Sequence, residues 1–160
     1  MKHRRERPDK PVPHSRARFP ARLDALAGIG DWLRGACERC GESGAWLDTF
    51  ELAVIEASSN IIRHGAAATA RAAQASHEPV IALTLRRGTR ALTLDLFDGG
   101  KPVPQGLFDA RKALPPFDPE DIDTLPEGGM GLGIMHASVD CVEHRRRLGI
   151  NRLRLVKNRG

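Results

Sequence analysis

Long apolar runs are missing from this 160-residue chain. No stretch reaches the roughly 18 apolar residues that a membrane-crossing helix needs, and the first residues lack the apolar run of a secretory signal. The expected setting is therefore the cytoplasm, with no membrane partner. Tyrosine is absent, and five Phe and two Trp are the only aromatics. Few residues are thus available to stack on bases, and no recognised DNA- or RNA-reading motif occurs, so direct nucleic-acid binding is not expected. Cysteine is scarce as well, at three residues. Cys37 and Cys40 form a C-x-x-C without the second pair that a zinc site requires, and read as thiols on a helix. A chain of this length fits one domain, which buries about two-thirds of its unfolded surface without disulfide staples.

Charge is present but uneven. Lys2, Arg4, Arg5, Arg7, Lys10, Arg16 and Arg18 face only Glu6 and Asp9 in the first 18 residues, so this segment carries the whole net charge of +5. The body is neutral. Pro8, Pro11 and Pro13 interrupt a tail with little to bury, so residues 1–14 are expected to be a basic disordered tail and residues 15–160 a single folded unit.

Within that unit the apolar spacing alternates between two periods. Residues 16–20 read as a short edge strand ended by Pro20. Leu23, Leu26, Ile29 and Leu33 predict a helix over 21–39 despite Gly28 and Gly30. Trp46, Phe50, Ala53, Val54, Ala57 and Ile61 predict a second helix from Ala45 to His64, terminated by Gly65. Ile55 and Ile62 fall off its main apolar face and are available to another helix or to a second subunit. Beyond Pro79 the period drops to two. Ile81, Leu83 and Leu85, then Leu92, Leu94 and Leu96, predict a hairpin. A long Pro-rich, acidic connection follows, of the kind that forms lids and binding loops. It closes on a glycine cluster, a helical segment to about Asp140, and a last hairpin of 142–147 with 152–157. Together these predict an α/β two-layer sandwich, a mostly antiparallel sheet with helices on one face.

Three constellations carry chemistry, and each has a plain structural alternative. Glu56, Asn60 and His64 are spaced four apart, a single polar stripe along the second helix. Such a stripe is common at a helix edge, yet an amide oxygen that ligates Mg²⁺ beside a carboxylate that accepts a hydroxyl proton suits a metal-nucleotide site. Asp98-Gly99-Gly100 ends a strand. It is either an ordinary turn or a carboxylate that receives the amino group of adenine, with glycine allowing close backbone approach. Gly128, Gly129, Gly131 and Gly133 lead into a helix, as a hinge or as a cradle for phosphates at a helix N-terminus. No Gly-Lys-Ser/Thr follows, and no strand immediately precedes, so neither a P-loop nor a dinucleotide fingerprint fits.

In this order, E-A-S-S-N-I-I-R-H-G, D-G-G-K-P and E-G-G-M-G-L-G-I resemble the N box and the two glycine boxes of the GHKL ATPases, the superfamily of gyrase and the histidine kinases. The compact size and the ending N-R-L-R-L-V-K are similar to the anti-sigma-factor serine kinases of partner-switching systems. The resemblance implies ATP and Mg²⁺ as cofactors, Glu56 as general base and Asn60 as metal ligand. It implies Asp98 and Gly100 at adenine, Gly129, Gly131, Leu132 and Gly133 at the phosphates, and a lid over about 101–127. It also implies a STAS-domain antagonist as phosphoacceptor, a sigma factor as sequestered partner, and a homodimer. A lid cation (Lys101, Arg111 or Lys112) is expected near the γ-phosphate. Pro102 stands where many members of the superfamily have glycine. The lid repeats an apolar-acidic theme at Leu107-Phe108-Asp109 and Pro116-Phe117-Asp118, which either docks on a partner or anchors the loop, anchoring being the favoured reading. Two other readings stay open, a non-catalytic ATP-binding regulatory module and a detached histidine-kinase catalytic domain.

Overall fold

The computed structural model describes residues 12–66, 78–103, 108 and 130–160. Strand β1 (Val12–Pro20) leads through a 3-10 turn (Leu23–Ala25) into α1 (Leu26–Glu38). Helix α2 (Gly44–Asn60) continues as a π-helical turn (Ile61–Ala66). The hairpin strands β2 (Val80–Arg87) and β3 (Ala91–Asp98) follow, then α3 (Met130–Ser138), β4 (Cys141–Arg147) and β5 (Ile150–Asn158). The five strands form one sheet in the order β1-β2-β3-β5-β4, every neighbouring pair antiparallel. The three helices cover one face, so the chain is the expected two-layer α/β sandwich.

Alternation explains the layering. Ile81, Leu83, Leu85, Leu92, Leu94 and Leu96 are all buried on the helix side, where Ile29 and Leu33 of α1, Phe50 and Val54 of α2, and Met135 of α3 meet them. Each such side chain contributes about 1.5–3 kcal/mol by leaving water. Trp46 ties the start of α2 to the end of β5, donating from Nε1 to the Asn158 carbonyl at 2.6 Å. Ile62 is buried and Ile55 packs against the same cluster. Ile62 thus belongs to the internal core, and Ile55, half-buried, packs at its edge. Cys37, on α1 as expected, and Cys40, in the turn after the helix rather than on it, are buried free thiols, and burial pushes Cys37 up to about 12.

Two boundaries differ from the sequence reading. Strand β1 starts at Val12, reaching into the segment assigned to the tail, because Val12 and Pro13 pair with Arg87 and Arg86. An irregularity between Pro13 and Ser15 accommodates the proline, which has no N–H to give the ladder. Residues 1–11 lie outside the described residues. The second difference is that regular α2 stops at Asn60, short of the expected His64, while the π-helical turn that continues it runs through Gly65 to Ala66.

The sheet face away from the helices holds a buried ion cluster. Asp95 is fully buried there, accepting from Arg154 Nε at 2.7 Å and Nη2 at 2.9 Å and from Arg86 Nε at 3.2 Å, with Arg152 Nε 4.0 Å away. Burial alone would raise this carboxyl, but the hydrogen bonds and charges of Arg154, Arg86 and Arg152 outweigh it and hold Asp95 below the usual carboxylate range. A depressed folded pKa adds stability that is complete above the unfolded value of about 3.9 and disappears as pH falls through the folded value. Asp95→Asn leaves three guanidinium groups without their carboxylate. It is expected to lower unfolding free energy at pH 7 by about 3 kcal/mol. In urea titrations at successive pH values, the gap from wild type should close below about pH 4. A gap that stays constant to pH 2 would contradict this role.

Candidate functional site

Helix α2 carries Glu56, Asn60 and His64 toward the end of β3, as their four-residue spacing predicts. Regular α-helix ends at Asn60, and the wider π turn that begins at Ile61 swings Gly65 against Asp98 and Gly100. Single π turns of this kind recur at functional sites. A Cβ added to Gly100 would lie 2.8 Å from the Gly65 Cα and 2.8 Å from Asp98 Oδ1. The α2 terminus and the β3 terminus thus touch backbone to backbone, which only glycine permits here.

Between them opens a cavity of about 470 Å³ whose lining includes Asn60, His64, Asp98, Pro102, Leu132 and Asn151. That volume lies in the range of small-molecule sites. Asp98 is 9% exposed. Its Oδ1 accepts from the Gly100 amide at 2.8 Å and from Asn151 Nδ2 at 3.0 Å. Among the described residues nothing donates to Oδ2. One carboxylate oxygen is therefore fixed by the protein, and the other is available to a ligand N–H.

Asn151 and Arg146 have no role in the sequence reading, although the ending that contains Asn151 is part of the resemblance. Asn151 Nδ2 also donates to the Lys101 carbonyl at 2.9 Å, and its Oδ1 accepts from Arg146 Nη1 at 2.7 Å. Arg146 Nη1 donates in addition to the Gly100 carbonyl at 2.9 Å. The pair orients Asp98 and straps residues 100 and 101 to the last hairpin. The signal for it is the register Asp98↔Asn151 and Asn151↔Arg146, which exists only once β5 is known to lie beside β3.

On the other flank, a Cβ on Gly131 would fall 2.6 Å from Glu56 Oε2 and 3.6 Å from Asn60 Nδ2. Glu56, Asn60 and the first turn of α3 are thereby in one cluster. The sequence reading placed the glycines in a loop leading into a helix. Helix α3 instead begins at Met130, so Gly131, Leu132 and Gly133 are already helical. The physical reason is the packing of α3 on α2, where Gly131 makes room for the Glu56 carboxylate. Leu132 lines the cavity and packs against the core, and Gly133 is buried. Gly128 and Gly129 lie outside the described residues.

Of the expected lid, Lys101, Pro102 and Val103 border the cavity. Phe108 is buried in the core beside the His144 ring, 5.5 Å between centroids, the anchoring use read from its segment. Residues 104–107 and 109–129, with Arg111, Lys112 and Phe117, lie outside the described residues. Among the described residues no three His, Cys, Asp or Glu side chains converge as a metal cage. Mg²⁺ that arrives on phosphates needs only one or two protein oxygens, and the Asn60 amide at the cavity wall fits that demand.

Comparisons with known proteins agree with this geometry. Residues 19–157 match the family described as the histidine kinase-like ATPase domain. The chain is 30% identical over 127 residues to the serine/threonine-protein kinase BtrW of Bordetella bronchiseptica, covering 79% of this chain and 81% of that protein. It is 28% identical over 124 residues to the serine-protein kinase RsbW of Bacillus licheniformis, covering 77% and 72%. The crystal structure of the RsbU and RsbW domains of Rv1364c from Mycobacterium tuberculosis shares the fold at a TM-score of 0.55 and 16% identity. That likeness covers 93% of this chain and 34% of the other. No helix of the described residues is long and apolar enough to cross a membrane.

Proposed function

The chain belongs to the histidine kinase-like ATPase family, and from that premise we propose that it is an ATP-dependent protein serine/threonine kinase of a partner-switching system. It phosphorylates a serine or threonine on a STAS-domain antagonist and otherwise sequesters a sigma factor, acting in the cytoplasm as a homodimer. The observation that carries this reading is Asp98, with Oδ1 fixed by Gly100 and Asn151 and Oδ2 free at a cavity that Asn60 also lines.

Each residue has a share in the chemistry. Asp98 Oδ2 accepts the exocyclic N–H of adenine, and Gly100 lets the base approach the backbone. The α3 first turn, with Gly131, Leu132 and Gly133 and with Gly129 ahead of it, receives the phosphates at the positive end of the helix dipole. Asn60 would supply an amide oxygen to Mg²⁺, which when bound would neutralise phosphate charge. Glu56 orients the substrate hydroxyl and accepts its proton as the oxygen attacks the γ-phosphorus, the bond to the β-phosphate oxygen breaks and ADP leaves. Such transfer depends on positioning and electrostatics more than on covalent chemistry. Residues 101–127 act as the lid that excludes water, and the catalytic unit starts with β1 at Val12.

Asp98→Asn tests the nucleotide assignment. The substituted amide keeps an acceptor toward Gly100 and Asn151 but turns an NH₂ toward the adenine amine, donor against donor. ATP affinity in equilibrium dialysis should fall roughly 10- to 100-fold, the worth of about 1.5–3 kcal/mol for a charged hydrogen bond. Unchanged affinity would remove Asp98 from the site. Labelled ATP with a STAS protein encoded beside this gene then separates kinase from binding module, since binding without transfer supports the module.

A further inference from the structure

The sheet face opposite the helices is arginine-rich in a way the nucleotide site does not use. Antiparallel register places Arg18, Arg152 and Arg145 in one cross-strand row and Arg16 and Arg154 in the next, with Arg86 and Arg147 flanking them. Among the described residues no lysine shares this face, and only Asp95 and Glu143 oppose the arginines there. Asp95 is already surrounded by Arg154, Arg86 and Arg152, so it neutralises one charge of three. Arg152 Nε is buried with no hydrogen-bond partner, and Arg145 and Arg147 are exposed.

The same face carries an apolar patch. Phe97 lies in the row of Arg18 and Arg152, and the exposed side chains of Val80 (38%) and Ile150 (46%) stand on the adjoining row, beside Gly99. No element of the described residues packs on this face, whose apolar centre and guanidinium rim stand without a second layer from them. Arginine and apolar groups together are the composition of protein interfaces.

We propose that this face docks an acidic, amphipathic segment of another protein, its carboxylates on the arginines and its apolar side on Phe97, Val80 and Ile150. Charge decides against a second copy of the chain, because two such faces repel. Composition favours protein over nucleic acid: Phe97, the one ring on this face among the described residues, is half-buried, and the exposed apolar side chains, Val80 and Ile150, cannot stack on a base. The surface lies across the sheet from the cavity, so docking is independent of the proposed ATP site.

The test uses the full chain without nucleotide at physiological salt. The probe is a fluorescent synthetic amphipathic helix of about 18 residues built from Glu and Leu, roughly five turns. Its Lys-for-Glu counterpart and a single-stranded oligonucleotide are the other arms. Saturable binding of the Glu/Leu peptide is expected, with none of the Lys version. Arg145→Glu with Arg147→Glu should weaken it about tenfold or more, and Ile150→Ser roughly threefold. Arg90→Glu, at the β2–β3 turn, should leave it within about twofold, the usual size of an exposed-charge effect. ATP affinity of all these variants should equal wild type, which separates this result from any failure of the nucleotide site. Three outcomes would overturn the proposal: peptide binding that ignores Arg145 and Arg147, tighter binding of the oligonucleotide through the same arginines, or self-association in sedimentation that Arg145→Glu abolishes.

Discussion

Glu56→Gln should reduce phosphoryl transfer about 10²- to 10⁴-fold, the usual contribution of a positioned general base, while ATP remains bound. The two side chains have the same shape, so the contact with Gly131 and the packing of α3 on α2 persist. What disappears is the negative charge and the capacity to take a proton. Affinity by dialysis should stay within about twofold, because the oxygen beside Asn60 remains and only charge next to the phosphates is lost. Single-turnover transfer from labelled ATP to the antagonist is the decisive measurement. Transfer at the wild-type rate would eliminate Glu56 as the base and leave the cluster of Glu56, Asn60 and Gly131 with a packing role alone.

The second large effect is expected from a single methyl group. Gly100→Ala places a Cβ 2.8 Å from the Gly65 Cα and 2.9 Å from the Gly65 carbonyl carbon. Both are backbone atoms, so no side-chain rotation relieves the contact, and the π turn must move away from the end of β3. Overpacking of this kind costs about 1–3 kcal/mol. The same displacement separates Asp98 from Asn60 across the cavity, and ATP affinity should drop by about two orders of magnitude, since misplacement by an ångström is costly at such sites. Gly99→Ala is the control. Its Cβ would find only Ile150 Cδ1, at 3.9 Å, an ordinary contact. Calorimetric titration and thermal unfolding of the two variants should therefore differ sharply. Equal behaviour would mean that the approach of Gly65 to Gly100 is not what shapes the site.

Much of the candidate site was legible because its signals are local. The four-residue spacing of Glu56, Asn60 and His64 needs only helical geometry, while Asp98-Gly99-Gly100, by itself equally an ordinary turn, takes its meaning from standing in order between the other two motifs. The glycine cluster was recognisable too, although its boundary was not. Whether Gly131 lies before or inside α3 depends on how α3 rests against α2, an interaction between segments some seventy residues apart in the chain. The π turn was equally hidden. Ile61 to Ala66 continues an ordinary helical pattern in sequence, and only the demand to bring Gly65 to Gly100 distinguishes it.

The sequence by itself determined the order and type of the main elements, the α/β class and the apolar face of each strand, and it marked Glu56, Asn60 and Asp98 as candidates, because periods of 3.6 and 2 and local motifs are properties of neighbouring residues. Tertiary structure alone decided that β5 lies between β3 and β4. That one choice sets Asn151 opposite Asp98, ties Arg146 to the carbonyl of Gly100, and draws Arg154 and Arg152 to Asp95. Strand order is a competition between pairings distant in sequence, settled by burial of the helix-side face together with the pairing of charges on the other, and no local pattern of residues records its result.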